Sequence, residues 1–416
     1  MSDPGSARGW PSPTDFAPAP SPAQRAGWDD TDRERRPARL AKLRERFAAA
    51  GVDAYFGVRP EHARYLTGLA LAEGEEKVAG QSGQFLVTDD EVVVLADSRY
   101  AVQVDREAPD ARIFSVYHDL PARWPGLLAS AGARRVAAEA RFVSHTTWSD
   151  LVTAAPKVEL VPVNGWVEAD RATKEPAEIE RVAAACAVAD RALATLLPEI
   201  RVGITESALA LRLEWLIRTG GAEALAFGVA CLSGPEAALP HGSPGERPVL
   251  DGTVLLFDFG AQVAGYRSDM TRTLFVGEPT ERDLGIYRLV AEAQARAIEA
   301  LAATVGRVGA AAGSAPLPSG QAIDRAAREV IQAAGHGDHF GHGLGHGIGL
   351  ATHELPSLGQ SAADTPLPSP TVFSIEPGVY LDGEVGVRIE DLILLDASAC
   401  RVERLTHFPR DVLVVG

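Results

Sequence analysis

Two strand-turn-strand stretches, each carrying a pair of acidic residues, constrain this chain more than anything else in it. "GTVLLFDFGAQVAGYRSDMTRTLFV", residues 252–276, reads as an apolar strand, a glycine-bearing turn and a second strand. A turn centred between Val263 and Ala264 sets Asp258 opposite Asp269. Opposed residues of an antiparallel pair share a face, with Cβ atoms about 5 Å apart. "TVFSIEPGVYLDGEVGVRIEDLILL", residues 371–395, repeats the arrangement around Asp382-Gly383, and a centre at 383 sets Glu376 opposite Glu390. Two inward carboxylates repel and resist ionisation unless a cation, a proton or another donor compensates them. Whatever fold forms must bring each pair such a partner.

A third stretch offers one. "HGLGHGIGLATHE", residues 342–354, holds His342, His346 and His353 among closely spaced glycines. The i,i+4 spacing of His342 and His346 suits a helix face, but Gly343, Gly345, Gly347 and Gly349 oppose a helix and favour a strand or loop. Glycine permits close backbone approach, and histidine presents a neutral nitrogen at ordinary pH. Asp258, Asp269, His346, Glu376 and Glu390 together can hold two divalent ions, whose charge balances the four carboxylates. Mn(II) suits so oxygen-rich a set, with Co(II) and Zn(II) as alternatives. Any one of these acids alone would read as a surface residue.

The rest of the chain reads as a soluble protein. Its 416 residues allow two domains with sizeable cores, and a formal net charge of -16 argues against a nucleic-acid partner. There is no basic-then-apolar leader and no uninterrupted apolar span, so no membrane partner is expected. Cys186, Cys231 and Cys400 are too sparse for a disulfide framework or a zinc cluster, which points to a reducing, cytoplasmic location.

Residues 1–31, rich in Pro, Ser, Ala and Gly, read as a flexible tail. Residues 32–170 alternate helix and strand signals: a helix over 35–51, strands in "VDAYFGV" and on both sides of Asp89-Asp90, and a last strand in "VELVPVNGWV". Arg64, Tyr65 and Arg99 read there as surface and packing residues. From residue 171 onward come helices in 172–196, after the Thr205 cap, in 281–303 and in 321–335, with short polar-bearing strands between and after them. The fold class expected is α+β, an α/β N-terminal domain followed by a catalytic domain over 171–416.

At this point the residues carry a family resemblance. "DFGAQVAGYRSDMTRT", "HGLGHGIGLATHE", "SIEPGVY" and "VRIED" occur in the order found in the creatinase-like, or pita-bread, metallopeptidases, and the chain resembles most the Xaa-Pro dipeptidase (prolidase) and aminopeptidase P branch. The resemblance is strong over 172–416 and less specific over 35–170. It implies a pita-bread catalytic domain with a creatinase-type N-terminal domain. It implies Asp258, Asp269, His346, Glu376 and Glu390 as ligands of two metal ions, with Asp269 and Glu390 bridging. It places His241 near the substrate, His342 in the pocket, His353 near the scissile carbonyl, and Arg388 as a positive group near the substrate. Catalysis would fall to His241, His353 and Glu376, with Glu376 transferring a proton.

The activity implied is hydrolysis of Xaa-Pro bonds, in dipeptides first, with Arg388 meeting the proline carboxylate. Aminopeptidase P action on longer peptides, another metal-dependent peptidase or amidohydrolase, and a non-enzymatic metal-stabilised interaction protein are the alternatives. A homodimer is likewise expected from the resemblance. Two departures stand out: Pro370-Thr371-Val372 replaces the usual glycine-methionine entry to the Glu376 strand, and residues 306–320 lengthen a connection. Pro370 can stay outside the ladder without displacing Glu376, and the longer connection reads as an exposed loop.

Overall fold

The computed structural model describes residues 9–72, 74–75, 78–310 and 316–416. Its chain contacts divide into two units, one over Pro22–Asp170 and one joining the N-terminal segment through Ser21 to Arg171–Gly416. The architecture is an α/β N-terminal domain and a mixed α/β pita-bread domain, the fold class expected.

In the first unit a six-stranded sheet runs in the order Arg112–Ser115, Val92–Ala96, Phe85–Thr88, Ala54–Gly57, Arg135–Glu139, Glu159–Val163. Phe85–Thr88 pairs antiparallel with both neighbours, and the remaining contacts are parallel. Helices packed on the sheet bury Trp124 edge-on against Phe56, with ring centroids 5.0 Å apart. Tyr65 is buried beneath the Arg39 guanidinium, and Arg99 pairs with Asp97.

The expected tail is ordered over its described part, which corrects the flexible reading of residues 1–31. Helix Pro22–Ala50 begins 13 residues before the helix predicted from residue 35 and carries Pro37 within it. Ahead of it, Ser12 and Asp15 close a capping box, Trp10 Nε1 donates to the Val414 carbonyl at 3.0 Å, and Phe16 stacks on Phe408. Two aromatic side chains thus anchor a segment whose composition alone reads as disordered. Residues 1–8 of that expectation lie outside the described residues.

The second unit is built around two sheets. One has the order Val414–Val415, Met270–Val276, Thr253–Phe259, Ala230–Ser233, and the other Glu354–Leu358, Gly345–Gly347, Thr371–Ile375, Asp391–Asp396, Arg401–Arg404. Helix Glu281–Ala310 turns Val290, Ala293, Ala297, Leu301 and Val305 toward the interior, the three- and four-residue spacing of one helix face. Ile323, Ala327 and Ile331 do the same from helix Gly320–Ala333, and both stripes bury against Leu256, Phe275, Phe373 and Ile393 of the strands. The expected Thr205 cap forms, its hydroxyl accepting from Ala208 N at 3.2 Å. Of the lengthened connection, 306–310 continue the long helix, while 311–315 lie outside the described residues. The three cysteines are free thiols.

Candidate metal and catalytic centre

The first acidic hairpin turns one residue later than the sequence suggests. Val263 pairs with Tyr266, so the turn is Ala264-Gly265, with φ of 47° and 84°. Asp258 therefore lies opposite Thr271, two residues beyond the expected Asp269. A shift of two preserves the face, because strand side chains alternate with period two, and both Asp258 and Asp269 reach one cavity. In the second hairpin Ile375 pairs with Asp391 and Gly378 with Arg388. Glu376 and Glu390 stand across from each other between those two ladder segments, the register that a turn centred on Gly383 requires. Strand Thr371–Ile375 starts after Pro370, whose carbonyl accepts from Lys174 N outside the ladder at 2.8 Å.

His346 enters from strand Gly345–Gly347, held between two neighbours. A Cβ at Gly345 would lie 2.0 Å from the Ser374 carbonyl oxygen, and one at Gly347 2.1 Å from that of Leu355. What the glycines let approach is thus neighbouring backbone, and that packing is what delivers the imidazole. Its Nδ1–H donates to the Gly347 carbonyl at 3.1 Å, which leaves Nε2 a lone pair for a cation. Nε2 lies 3.3 Å from Glu376 Oε1 and 3.7 Å from Asp269 Oδ2. One ligand atom each from Asp269, His346 and Glu390 fall within 4.8 Å of one another.

Residues that sequence reasoning passed over hold these groups in place. Ser374 Oγ donates to Glu376 Oε1 at 2.8 Å and accepts from His346 N at 3.1 Å. Thr271 Oγ1 donates to Glu390 Oε2 at 2.8 Å and accepts from Arg388 Nε at 2.9 Å. Arg388 Nη2 donates to Asp258 Oδ2 at 2.6 Å, and Nη1 to Tyr380 Oη at 2.9 Å and to the Pro240 carbonyl at 3.4 Å. Tyr380 in turn meets His342 Nε2 at 2.8 Å, while His342 Nδ1 contacts the Gly343 carbonyl at 2.8 Å. With Nδ1–H donating to that carbonyl, the tyrosine hydroxyl donates to Nε2. The signal available for Tyr380 was its place inside the acidic hairpin motif. Thr271 and Ser374 gave none beyond a two-residue spacing from Asp269 and Glu376.

The electrostatics point one way. Burial, then Glu390 and Asp258, push the Asp269 carboxyl well above its ordinary range. Burial, then Glu376 and Asp258, do the same to Glu390, and burial raises Glu376. Asp258 Oδ1 and Glu390 Oε1 are buried without a hydrogen-bond partner. Burial lowers His342 and His346, and burial with the neighbouring His346 and His241 lowers His353, so all three favour neutral imidazole. Four carboxylates face one arginine, with two oxygens unsatisfied and a neutral imidazole nitrogen available. That donor set fits hard or borderline divalent cations.

The cavity measures about 820 Å³, and the sequence-selected residues gather in it. Beside Asp258, Asp269, His346, Glu376 and Glu390 it is lined by His241, His342, His353 and Arg388. His353 packs on His346 with ring centroids 4.2 Å apart. The expectation that Arg388 reaches toward a proline carboxylate meets a different geometry: the residue is 4 % exposed and its guanidinium is already bonded to Asp258, Thr271 and Tyr380.

Comparison with known proteins adds to this geometry. Residues 180–397 match metallopeptidase family M24, and residues 39–173 match the creatinase/prolidase N-terminal domain. An uncharacterized peptidase of Bacillus subtilis, YqhT, is 31% identical over 377 residues, 91% of this chain and 100% of its own. The structure titled Xaa-Pro dipeptidase from Bacillus anthracis aligns with a TM-score of 0.80 at 30% identity, covering 91% of this chain and 100% of that one. The X-Pro aminopeptidase of Thermotoga maritima aligns with a TM-score of 0.79 at 31% identity, covering 90% and 99%. Near-equal likeness to a dipeptidase and an aminopeptidase separates neither from the other.

Proposed function

We propose, from the premise that this chain belongs to metallopeptidase family M24, that it hydrolyses Xaa-Pro peptide bonds at the His346 cavity. What carries the reading is the convergence of Asp258, Asp269, Glu376 and Glu390 on His346, with buried carboxylate oxygens of Asp258 and Glu390 that no described residue satisfies. These five residues would hold two divalent ions, Mn(II) foremost on the oxygen-rich donor set, with Co(II) and Zn(II) as alternatives. Bound there, such ions supply Lewis acidity toward a carbonyl oxygen and lower the pKa of water.

The remaining work belongs to the chain's own side chains. Glu376, with its Oε1 fixed by Ser374, accepts a proton from the attacking water and returns it to the departing nitrogen. His353, favoured neutral by burial, donates toward the developing oxyanion. His241 orients the substrate from the cavity's lining. His342 has both ring nitrogens engaged, which makes it a fixed wall against which the substrate lies. An Xaa-Pro bond is a tertiary amide, so its nitrogen brings no N–H that the site must satisfy before cleavage. The names of the Bacillus anthracis and Thermotoga maritima neighbours support proline-directed action.

The test is a pair of matched substrates, Leu-Pro-Ala and Leu-Ala-Ala, assayed with the Mn(II)-loaded protein. The proline peptide is expected to be cut with the higher kcat/KM. Faster cleavage of the alanine peptide would move the reading to another metal-dependent peptidase. Dipeptides stay the preferred substrates of this reading, checked by comparing kcat/KM for Leu-Pro and Leu-Pro-Ala; Arg388, already bonded to Asp258, Thr271 and Tyr380, is not an unengaged contact for the proline carboxylate.

A further inference from the structure

Apart from the acids assigned to metal, the charges lining the cavity fall into two groups. Its arginines, Arg328 and Arg388, are both committed. Arg328 donates twice to Asp324 and once each to the Phe340 and His342 carbonyls, with the Phe340 ring 4.1 Å from its guanidinium carbon. Arg388 is bound to Asp258, Thr271 and Tyr380. Neither is free to receive a carboxylate from a peptide. The other lining acid is Asp338, in the turn Gly337–His339. It is solvent-exposed at the cavity's edge, and its side chain makes no hydrogen bond or ion pair to any described residue. The same turn leads into Phe340, whose ring meets His342 edge-on with centroids 5.0 Å apart, so Asp338 stands on the wall that continues from the histidine.

We propose that Asp338 is a specificity-determining residue, selecting peptides that carry a basic side chain, lysine or arginine, against this wall and disfavouring those that place a carboxylate there. An unpaired carboxylate beside an open cavity attracts a substrate cation, and no free arginine nearby offers an anion a compensating contact. The cation has two sources, the Xaa side chain or the side chain of the residue after proline. The inference rests on the Xaa-Pro reading above.

The experiment uses the full-length Mn(II)-loaded protein at pH 8 and four tripeptides: norleucine-Pro-Ala as neutral reference, Lys-Pro-Ala, norleucine-Pro-Lys and norleucine-Pro-Glu. Each kcat/KM is expressed relative to the reference measured with the same variant. In the wild type at low salt, one lysine peptide should exceed the reference by about three- to fivefold, the range of an exposed charge pair, and the glutamate peptide should fall below it. Which lysine peptide gains identifies the source of the cation. Asp338→Asn should bring the gain to about one, Asp338→Lys should invert the order, and high salt should flatten the wild-type ratios. Lysine ratios near one in the wild type, or a gain that survives in Asp338→Asn, overturn the proposal while leaving proline-directed cleavage intact. Failure to cut both the neutral reference and the dipeptide norleucine-Pro overturns the Xaa-Pro reading and this proposal with it; where only the dipeptide is cut, a Lys-Pro to norleucine-Pro ratio near one overturns the proposal and a raised ratio lost in Asp338→Asn supports it.

Discussion

Glu390 and Asp391 are consecutive, equally buried, and surrounded in opposite ways. Asp391 Oδ1 accepts from Arg272 Nη2 at 2.7 Å and Thr406 Oγ1 at 2.6 Å, and Oδ2 from Gln294 Nε2 at 3.0 Å. Arg410 and Arg404 stand 3.8 and 3.9 Å away. One residue earlier, the Glu390 carboxylate accepts, among the described residues, from Thr271 alone, its Oε1 is orphaned, and its charged neighbours include Glu376 and Asp258. The alternation of a strand sends one carboxylate to the structural face and the other to the cavity. Burial of an acid therefore says little about function. What separates the two is whether the chain supplies the cation: for Asp391 it does, with arginine, and for Glu390 it leaves that place to something from outside.

The largest effect expected on the cavity side is that of Glu376→Gln, which keeps side-chain shape but removes the proton-accepting carboxylate. Turnover should fall by about 10²–10⁴-fold with circular dichroism unchanged. Near-normal turnover at unchanged metal content would remove Glu376 from the mechanism. The two faces should then part in stability. Asp391→Asn leaves Arg272 buried without its anion and should cost about 3–5 kcal/mol in urea unfolding. Glu390→Gln puts a neutral group where the metal-free carboxyl already favours its protonated form, and should change the stability of the metal-free protein by less than about 1 kcal/mol. Equal losses from the two substitutions would dissolve the distinction between them.

A smaller effect follows from pH. Asp269 and Glu390 titrate well above the ordinary carboxylate range when folded, so the metal-free folded chain keeps protons that the unfolded chain has released. Such groups contribute stability that is fully present below the unfolded pKa and is lost as pH rises through the folded one. From the unfolded carboxylate pKa of about 4 upward, these two groups should cost the metal-free protein up to about 1.4 kcal/mol per pH unit for each proton it still retains. Saturating Mn(II) should remove that loss, because metal takes the deprotonated form. Thermal melts from pH 5 to 9 with and without metal check this, and parallel curves would contradict it.

How far the sequence reached follows from what each signal depends on. Asp382-Gly383 announces its turn, so the pairing of Glu376 with Glu390 could be read directly from the residues. The other turn places an alanine at φ 47°, and no composition rule anticipates alanine there, so that register came out two residues short while the face came out right. The N-terminal segment was misjudged because Trp10 and Phe16 act through contacts with Val414 and Phe408, far along the chain. Arg388 was legible as a site residue but not as the partner of Asp258, 130 residues away. Pairings of that kind arise only when separate strands meet, and they decide which charges remain free for substrate.

The central claim is that the cavity around His346 is completed by two cations and is otherwise inert toward peptides. It is tested most directly by stripping the protein of divalent ions and titrating Mn(II) back while following bound metal and Xaa-Pro hydrolysis together. The account predicts no hydrolysis at zero metal, binding that saturates at two ions per chain, and activity that rises with occupancy of those sites. Full hydrolysis by a demonstrably metal-free preparation, or the absence of saturable binding in an active one, would contradict it.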